Sequence, residues 1–181
     1  MKIKKLSTLN PMIVPQVIPL TSFFPVGFQK DALPDAPVSD PVEGVLGLAD
    51  ADFSNLKGTT TSGAVISQFA EALLVLPSNY IEGAPITLRV RAKVSANQAT
   101  SQKLTMAAYS KLDVSGTYIQ LGSNGAGTAI TTSFANYDLT LNPVAHLQPG
   151  MEIIVEVGTI LEGEEGYGEI CHVELRNTVW G

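Results

Sequence analysis

The side chains best suited to act as nucleophile, proton carrier or metal ligand near neutral pH are His146, His172 and the single cysteine, Cys171. Their number argues against each use. A structural zinc site takes four nitrogen or sulfur ligands, and two histidines with one cysteine fall short of that. A reactive thiol needs cationic neighbours, which Cys171 lacks locally. Set among Glu169, Val173 and Leu175, it reads as a small buried residue on one face of a late strand. Asp50 and Asp52 form a carboxylate pair, but a calcium loop would add oxygen ligands at regular spacing and a terminal glutamate, so helix capping or solvation is the simpler use. Glu162, Glu164 and Glu165 lie in a glycine-flanked stretch that reads as a solvated loop tip. The run Gly122 to Gly127 has the glycines of a phosphate cradle, yet no Lys-Ser or Lys-Thr follows it, and it reads as a hairpin loop. No Gly-x-Ser-x-Gly elbow, His-Glu-x-x-His, Walker loop or Cys-x-x-Cys occurs. The sequence therefore predicts a protein that is not an enzyme, with no catalytic residue, no metal and no cofactor.

The elements that would position any site are strands. After the turn Gly83-Ala84-Pro85, residues Ile86 to Val94 alternate strictly: Ile86, Leu88, Val90, Ala92 and Val94 point one way, and Thr87, Arg89, Arg91 and Lys93 the other. That is the pattern of a half-buried antiparallel strand. After Gln148-Pro149-Gly150, Met151, Ile153, Val155 and Val157 form an inward set, and Glu152 and Glu156 face out, with Ile154 the apolar exception. The stretch from Ala64 to Leu76 fits both helical and alternating spacing, and Pro77 together with the strands that follow favours a strand. Lys103 to Lys111, Tyr118 to Leu121, Phe134 to Leu141 and Tyr167 to Arg176 complete a series of short strands separated by turn signals. The predicted fold is all-β, an antiparallel jelly-roll sandwich over residues 63–181.

Residues 1–62 read differently. Seven of the 11 prolines fall within the first 41 residues, which favours an extended N-terminal arm and connection. This arm carries Ile13, Val14, Ile18, Phe23 and Phe24 among other apolar side chains that a disordered tail would lack. Such residues must be buried against the chain's own domain, a sister subunit or a larger surface. Lys2, Lys4 and Lys5 begin like a secretion signal, but the prolines interrupt both a signal core and any membrane helix. A formal net charge of -6 excludes a nucleic-acid binder, which needs a basic stripe. Arg89, Arg91 and Lys93 form one basic row, read first as a solvated sheet face and second as a contact for an anionic partner.

The stretch Leu76-Pro-Ser-Asn-Tyr80-Ile-Glu-Gly83, the Thr87-Leu-Arg-Val-Arg91 strand and the later Leu147-Gln-Pro-Gly150 turn resemble the jelly-roll head decoration (cement) and fibre-base proteins of tailed bacteriophages, over residues 64 to about 177. That resemblance implies a virion protein on the outer surface of the capsid. It would act as a homodimer or homotrimer that clamps neighbouring copies of a major capsid protein, without nucleic acid or membrane. The arm would then anchor it, with Ile13, Val14, Ile18, Phe23 and Phe24 as the partner-binding residues, and its extended backbone could pair with a partner's strand. The alternative is a receptor- or carbohydrate-binding jelly-roll module of a fibre or tail. Its aromatic candidates are Tyr109, Tyr118, Tyr167 and Trp180, few for that task.

Overall fold

A computed structural model describes residues 9–24, 47–49, 55–58, 62–95, 99–111, 118–142, 147–164 and 166–181. The strands are β1 (Pro11–Val17), β2 (Gly47–Ala49), β3 (Asn55–Lys57), β4 (Ser62–Val75), β5 (Ile86–Val94), β6 (Ala99–Lys111), β7 (Tyr118–Ser123), β8 (Thr128–Ala129), β9 (Ala135–Leu141), β10 (Glu152–Glu164) and β11 (Gly168–Trp180). A 3-10 turn, Leu20–Ser22, follows β1. A six-stranded sheet runs β2-β3-β11-β5-β9 with β1 added to β11, and a five-stranded sheet runs β4-β10-β6-β7 with β8 added to β6. Every pairing is antiparallel. β4, β5 and β6 cross from sheet to sheet in turn, as do β9, β10 and β11, so the fold is an all-β sandwich of jelly-roll type.

The alternation read from the sequence sets the core. Ile86, Leu88, Val90, Ala92 and Val94 of β5 are fully buried and meet Ile153, Val155, Val157 and Leu161 of β10 in one apolar cluster. β10 runs further than its apolar pattern suggested: Glu162 and Glu164 belong to the strand, not to a loop tip, and Glu165 lies outside the described residues. The turn that announces β10 closes against the end of β4. The Leu76 N–H donates to the Met151 carbonyl at 2.9 Å, and the Gly150 N–H donates to the Leu76 carbonyl at 3.0 Å. Gly83 and Gly150 hold φ of 73° and 82°, the left-handed region where a side chain is strained. Tyr80, buried in the core, donates its hydroxyl to the Ala84 carbonyl at 2.8 Å.

The described part of residues 1–62 is built into the sandwich rather than standing ahead of it. β1 pairs with β11 along its whole length, Ile18 and Phe23 sit in the core cluster, and Phe24 bridges Glu71 on β4. Residues 11–24 thus strap β11 of one sheet to β4 of the other across the open side. Ile18 and Phe23, expected to anchor a partner, are consumed by the chain's own core. Burying Phe23 alone contributes about 1.5–3 kcal/mol, which explains why intramolecular docking prevails. The prolines fit this strand for a local reason. The Ile18 N–H donates to the Val173 carbonyl and the Gly181 N–H to the Asn10 carbonyl, so in this register even-numbered residues turn their backbone groups toward β11. Pro11 and Pro15 are odd-numbered and face the free edge, where a missing donor costs nothing. The same prolines blunt that edge against pairing with another strand, contrary to the strand addition expected of the arm.

Candidate functional site

The outer face of the five-stranded sheet is set by cross-strand register. Leu73, Ile154, Tyr109 and Gln120 form one row across β4, β10, β6 and β7. Glu71, Glu156 and Ala107 form the next, then Phe69, Gly158 and Thr105, then Ser67, Ile160 and Lys103. All lie opposite in phase to the buried set Ala70, Ala72, Val155, Val157, Met106 and Ala108. Ala107 and Gly158 are the small residues of the middle rows, and both are buried.

Gly158 decides how Phe69 lies. A Cβ at Gly158 would strike Phe69 Cδ1 and would stand 2.6 Å from Thr105 Oγ1 and 2.7 Å from the Gln68 carbonyl oxygen. The Phe69 ring therefore leans across Gly158 onto the sheet instead of rising from it, and it presents a half-buried aromatic surface. Thr105 is only 8% exposed, and its hydroxyl has no hydrogen-bond partner among the described residues.

Beside this ring two carboxylates oppose one another. Phe24 and Glu71 exchange both backbone hydrogen bonds, at 2.7 and 2.8 Å, so the backbone of Glu71 turns away from β10. Glu71 and Glu156 are therefore a non-hydrogen-bonded pair, the kind that brings side chains closest. Among the described residues no ion pair reaches either carboxylate. Partial burial raises the pKa of Glu71, and the neighbouring Glu156 charge raises it further. Burial likewise raises Glu156. The Tyr109 phenol is pushed up by burial and then by Glu156. The face thus offers two aromatic rings, two acids lacking counter-charges and a buried free hydroxyl.

The outer face of the six-stranded sheet is neutralised from within. Arg89 donates to both carboxylate oxygens of Asp138 at 2.7 Å, and this bond holds the Asp138 carboxyl below its ordinary range. Lys93 lies 3.3 Å from Glu169, which also accepts from Asn55 at 3.3 Å. Lys93 stands 4.7 Å and Arg91 5.9 Å from the Phe134 ring centroid. His172 lies 3.2 Å from Glu174, and Lys57 lies 3.9 Å above the Tyr167 ring. The basic row predicted from the sequence is thus internally paired.

The remaining sequence expectations sort as follows. Ile13 is 64% and Val14 38% exposed, and Phe24 is half-buried at the β4 edge. Cys171 does not share a face with Val173 and Leu175. It is the extra residue of a bulge, since Ile170 pairs with Ala92 and His172 with Arg91. The bulge shifts the strand's phase and leaves the thiol half-buried, with its pKa raised by burial. The 122–127 run is a turn in which Asn124 accepts from the Met106 N–H and donates to the Leu104 carbonyl, both at 2.8 Å. Of the four aromatic candidates, Tyr109 and Tyr118 reach the five-stranded sheet's outer face, Tyr167 belongs to the other sheet, and Trp180 ends β11 beside Pro11. Phe69 was not among them. The signal was present, because Phe69 alternates with Glu71 along β4, but that strand is apolar on both faces and gives no sign of which is outward. Asp50, Asp52 and His146 lie outside the described residues. Among the described residues no group of three or more His, Cys, Asp or Glu side chains is placed to hold a metal ion, and no helix is long and apolar enough to cross a membrane.

No protein-family model matches the chain, and no curated protein matches it in sequence. Among solved structures it is similar to a xylan-binding module, CBM15, at 12% identity and TM-score 0.46, over 91% of this chain and 96% of that one. It is similar to TmCBM61, solved with β-1,4-galactotriose, at 13% identity and TM-score 0.39, over 67% of each chain. A family 16 carbohydrate-binding module is similar at 13% identity and TM-score 0.39, over 72% of this chain and 82% of that one.

Proposed function

We propose that this chain is a non-catalytic carbohydrate-binding module whose ligand lies on the outer face of the five-stranded sheet. The observation that carries the reading is the Phe69 ring leaning over Gly158 beside Glu71, Glu156 and Tyr109. A sugar has apolar C–H faces and a rim of hydroxyls. A ring lying on a sheet complements the former, and carboxylates in the same row complement the latter. Two opposed carboxylates are also the groups a glycosidase uses, so the reading predicts in addition that no reducing sugar is released from the oligosaccharides that bind. The test is a glycan array followed by calorimetry with the oligosaccharides that bind. The wild-type protein should bind neutral glycans, and Phe69→Ala and Tyr109→Ala should each weaken binding at least tenfold while circular dichroism keeps its β signature. An array with no bound glycan would overturn the reading.

A second reading is favoured by a separate observation. Met12, Ile13, Val14, Val17 and Trp180 are exposed large apolar side chains along β1 and the end of β11. A rim of that kind suits attachment to another protein, as a capsid decoration protein would need. On this reading Ile13 and Val14 would touch a major capsid protein at the outer surface of the virion, with Ile18, Phe23 and Phe24 holding the strand in place. Co-sedimentation with phage heads stripped of decoration protein, lost in Ile13→Asp, would support it. Equal retention of the Ile13→Asp variant would dispose of it.

A further inference from the structure

Glu71 and Glu156 form the one row of this face in which two like charges stand directly opposite, in the pairing geometry that brings side chains closest. The groups around them do not relieve the repulsion. On β10 the other outward charges are Glu152 and Glu162, which add negative potential. On β4 Glu71 is the only ionisable residue, and the Phe24 bridge beyond it brings no charge. On β6 the facing groups are Tyr109, two residues from Ala107, and Lys103, four residues or roughly 13 Å along the strand. Tyr118 faces out from β7. Two carboxylates so placed titrate as a pair, with the second proton held more tightly than the first. The Thr105 hydroxyl, on the same outward phase in the adjacent row and more than nine-tenths buried, has no hydrogen-bond partner among the described residues, a second unmet polar group at this face.

We infer that Glu71 and Glu156 hold one proton between them in the free protein and release it when a ligand donating hydrogen bonds to both carboxylates settles on this face. The inference rests on the carbohydrate-binding reading and narrows it: the ligand is an uncharged sugar with adjacent hydroxyl donors, and acidic sugars are repelled. Hydroxyl donors stabilise the ionised carboxylates and lower the pair's pKa in the complex. Binding therefore tightens as pH rises through the upper titration of the free pair, by up to tenfold per pH unit for one proton released. Above that titration it levels off.

Two measurements on the full chain separate this inference from the reading beneath it. Carbon NMR of the glutamate carboxyls, without ligand, should show Glu71 and Glu156 titrating in two coupled steps, and the upper step should vanish in both Glu71→Gln and Glu156→Gln. Independent single-step titrations would overturn the inference whatever binds. Calorimetry with cellohexaose across the same pH range, in buffers of different ionisation enthalpy, should show proton release and tightening affinity, with hexagalacturonic acid bound at least tenfold more weakly. Glu152→Gln should keep that profile, and Glu71→Gln should flatten it. A flat wild-type profile with cellohexaose bound refutes proton release. Coupled titration with no glycan bound in the array refutes the carbohydrate reading and leaves the shared proton standing.

Discussion

On the outer face of the six-stranded sheet Arg89 meets Asp138 with two bonds of 2.7 Å and Lys93 meets Glu169 at 3.3 Å, whereas on the five-stranded sheet Glu71 meets Glu156 across the same kind of pleat. Both faces follow one alternation, polar side chains out and apolar ones in. On the first each acid has a cation, and Lys93 and Arg91 also stand near the Phe134 ring. The second keeps like charges side by side, with a free hydroxyl in the adjacent row and an aromatic ring laid across a glycine. Exposure alone does not separate the two faces; they differ in whether their acids already have a cation.

Both faces rest on the strap that closes the sandwich, so the largest effect should come from breaking it. Phe23→Ala should cost about 3–5 kcal/mol, read as a lower midpoint in guanidinium unfolding, and should impair the two faces equally. Gly158→Val is aimed at one face only. Its side chain must displace Phe69 and press on the Gln68 backbone, and overpacking of this kind costs about 1–3 kcal/mol. Glycan binding should be lost with it, while the Arg89–Asp138 pair stays intact. Phe69→Ala should weaken binding tenfold, about 1.4 kcal/mol, with a smaller change in the unfolding midpoint.

The two faces should also differ in the sign of their pH response. Glu71 and Glu156 hold protons more tightly folded than unfolded, so their contribution is complete below the ordinary carboxylate range and is lost as pH rises through the raised folded values. Glu71→Gln should reduce that decline, leaving the part that burial gives Glu156, and stabilise the protein at higher pH by on the order of 0.5 kcal/mol. Asp138 behaves oppositely: its contribution is complete above the unfolded pKa and is lost as pH falls through the lowered folded value. Asp138→Asn should flatten the acid side of the stability profile and lower the plateau above it by a pH-independent amount. The smallest effect belongs to Arg89→Ala. Its exposed pair should show weak coupling in a double-mutant cycle that disappears at high salt.

Much of the scaffold was legible because a strand with one buried face writes a period of two into the chain. Ile86 to Val94 was bounded to the residue, and the outward positions of Glu152, Ile154 and Glu156 followed from the same alternation. Legibility failed where the period broke or was absent. The bulge at Cys171 adds a residue that composition does not mark, so Cys171 was assigned to the wrong face. β4 is apolar on both sides, which hid Phe69 and Glu71. The prolines of the first 41 residues spoke for extended backbone but not for what that backbone would lie against.

By itself the sequence determined the class of the fold and the inward set of β5 and β10, because these depend on residue type and on spacing within one strand. Only the tertiary structure decided that β1 lies on β11, that Phe23 fills the protein's own core, and that Glu71, Glu156 and Phe69 share one face with Tyr109. Each of these is a pairing between residues far apart in the chain. Such pairings are chosen by packing and by the demand that every buried backbone group find a partner, and neither is written in the local pattern of side chains.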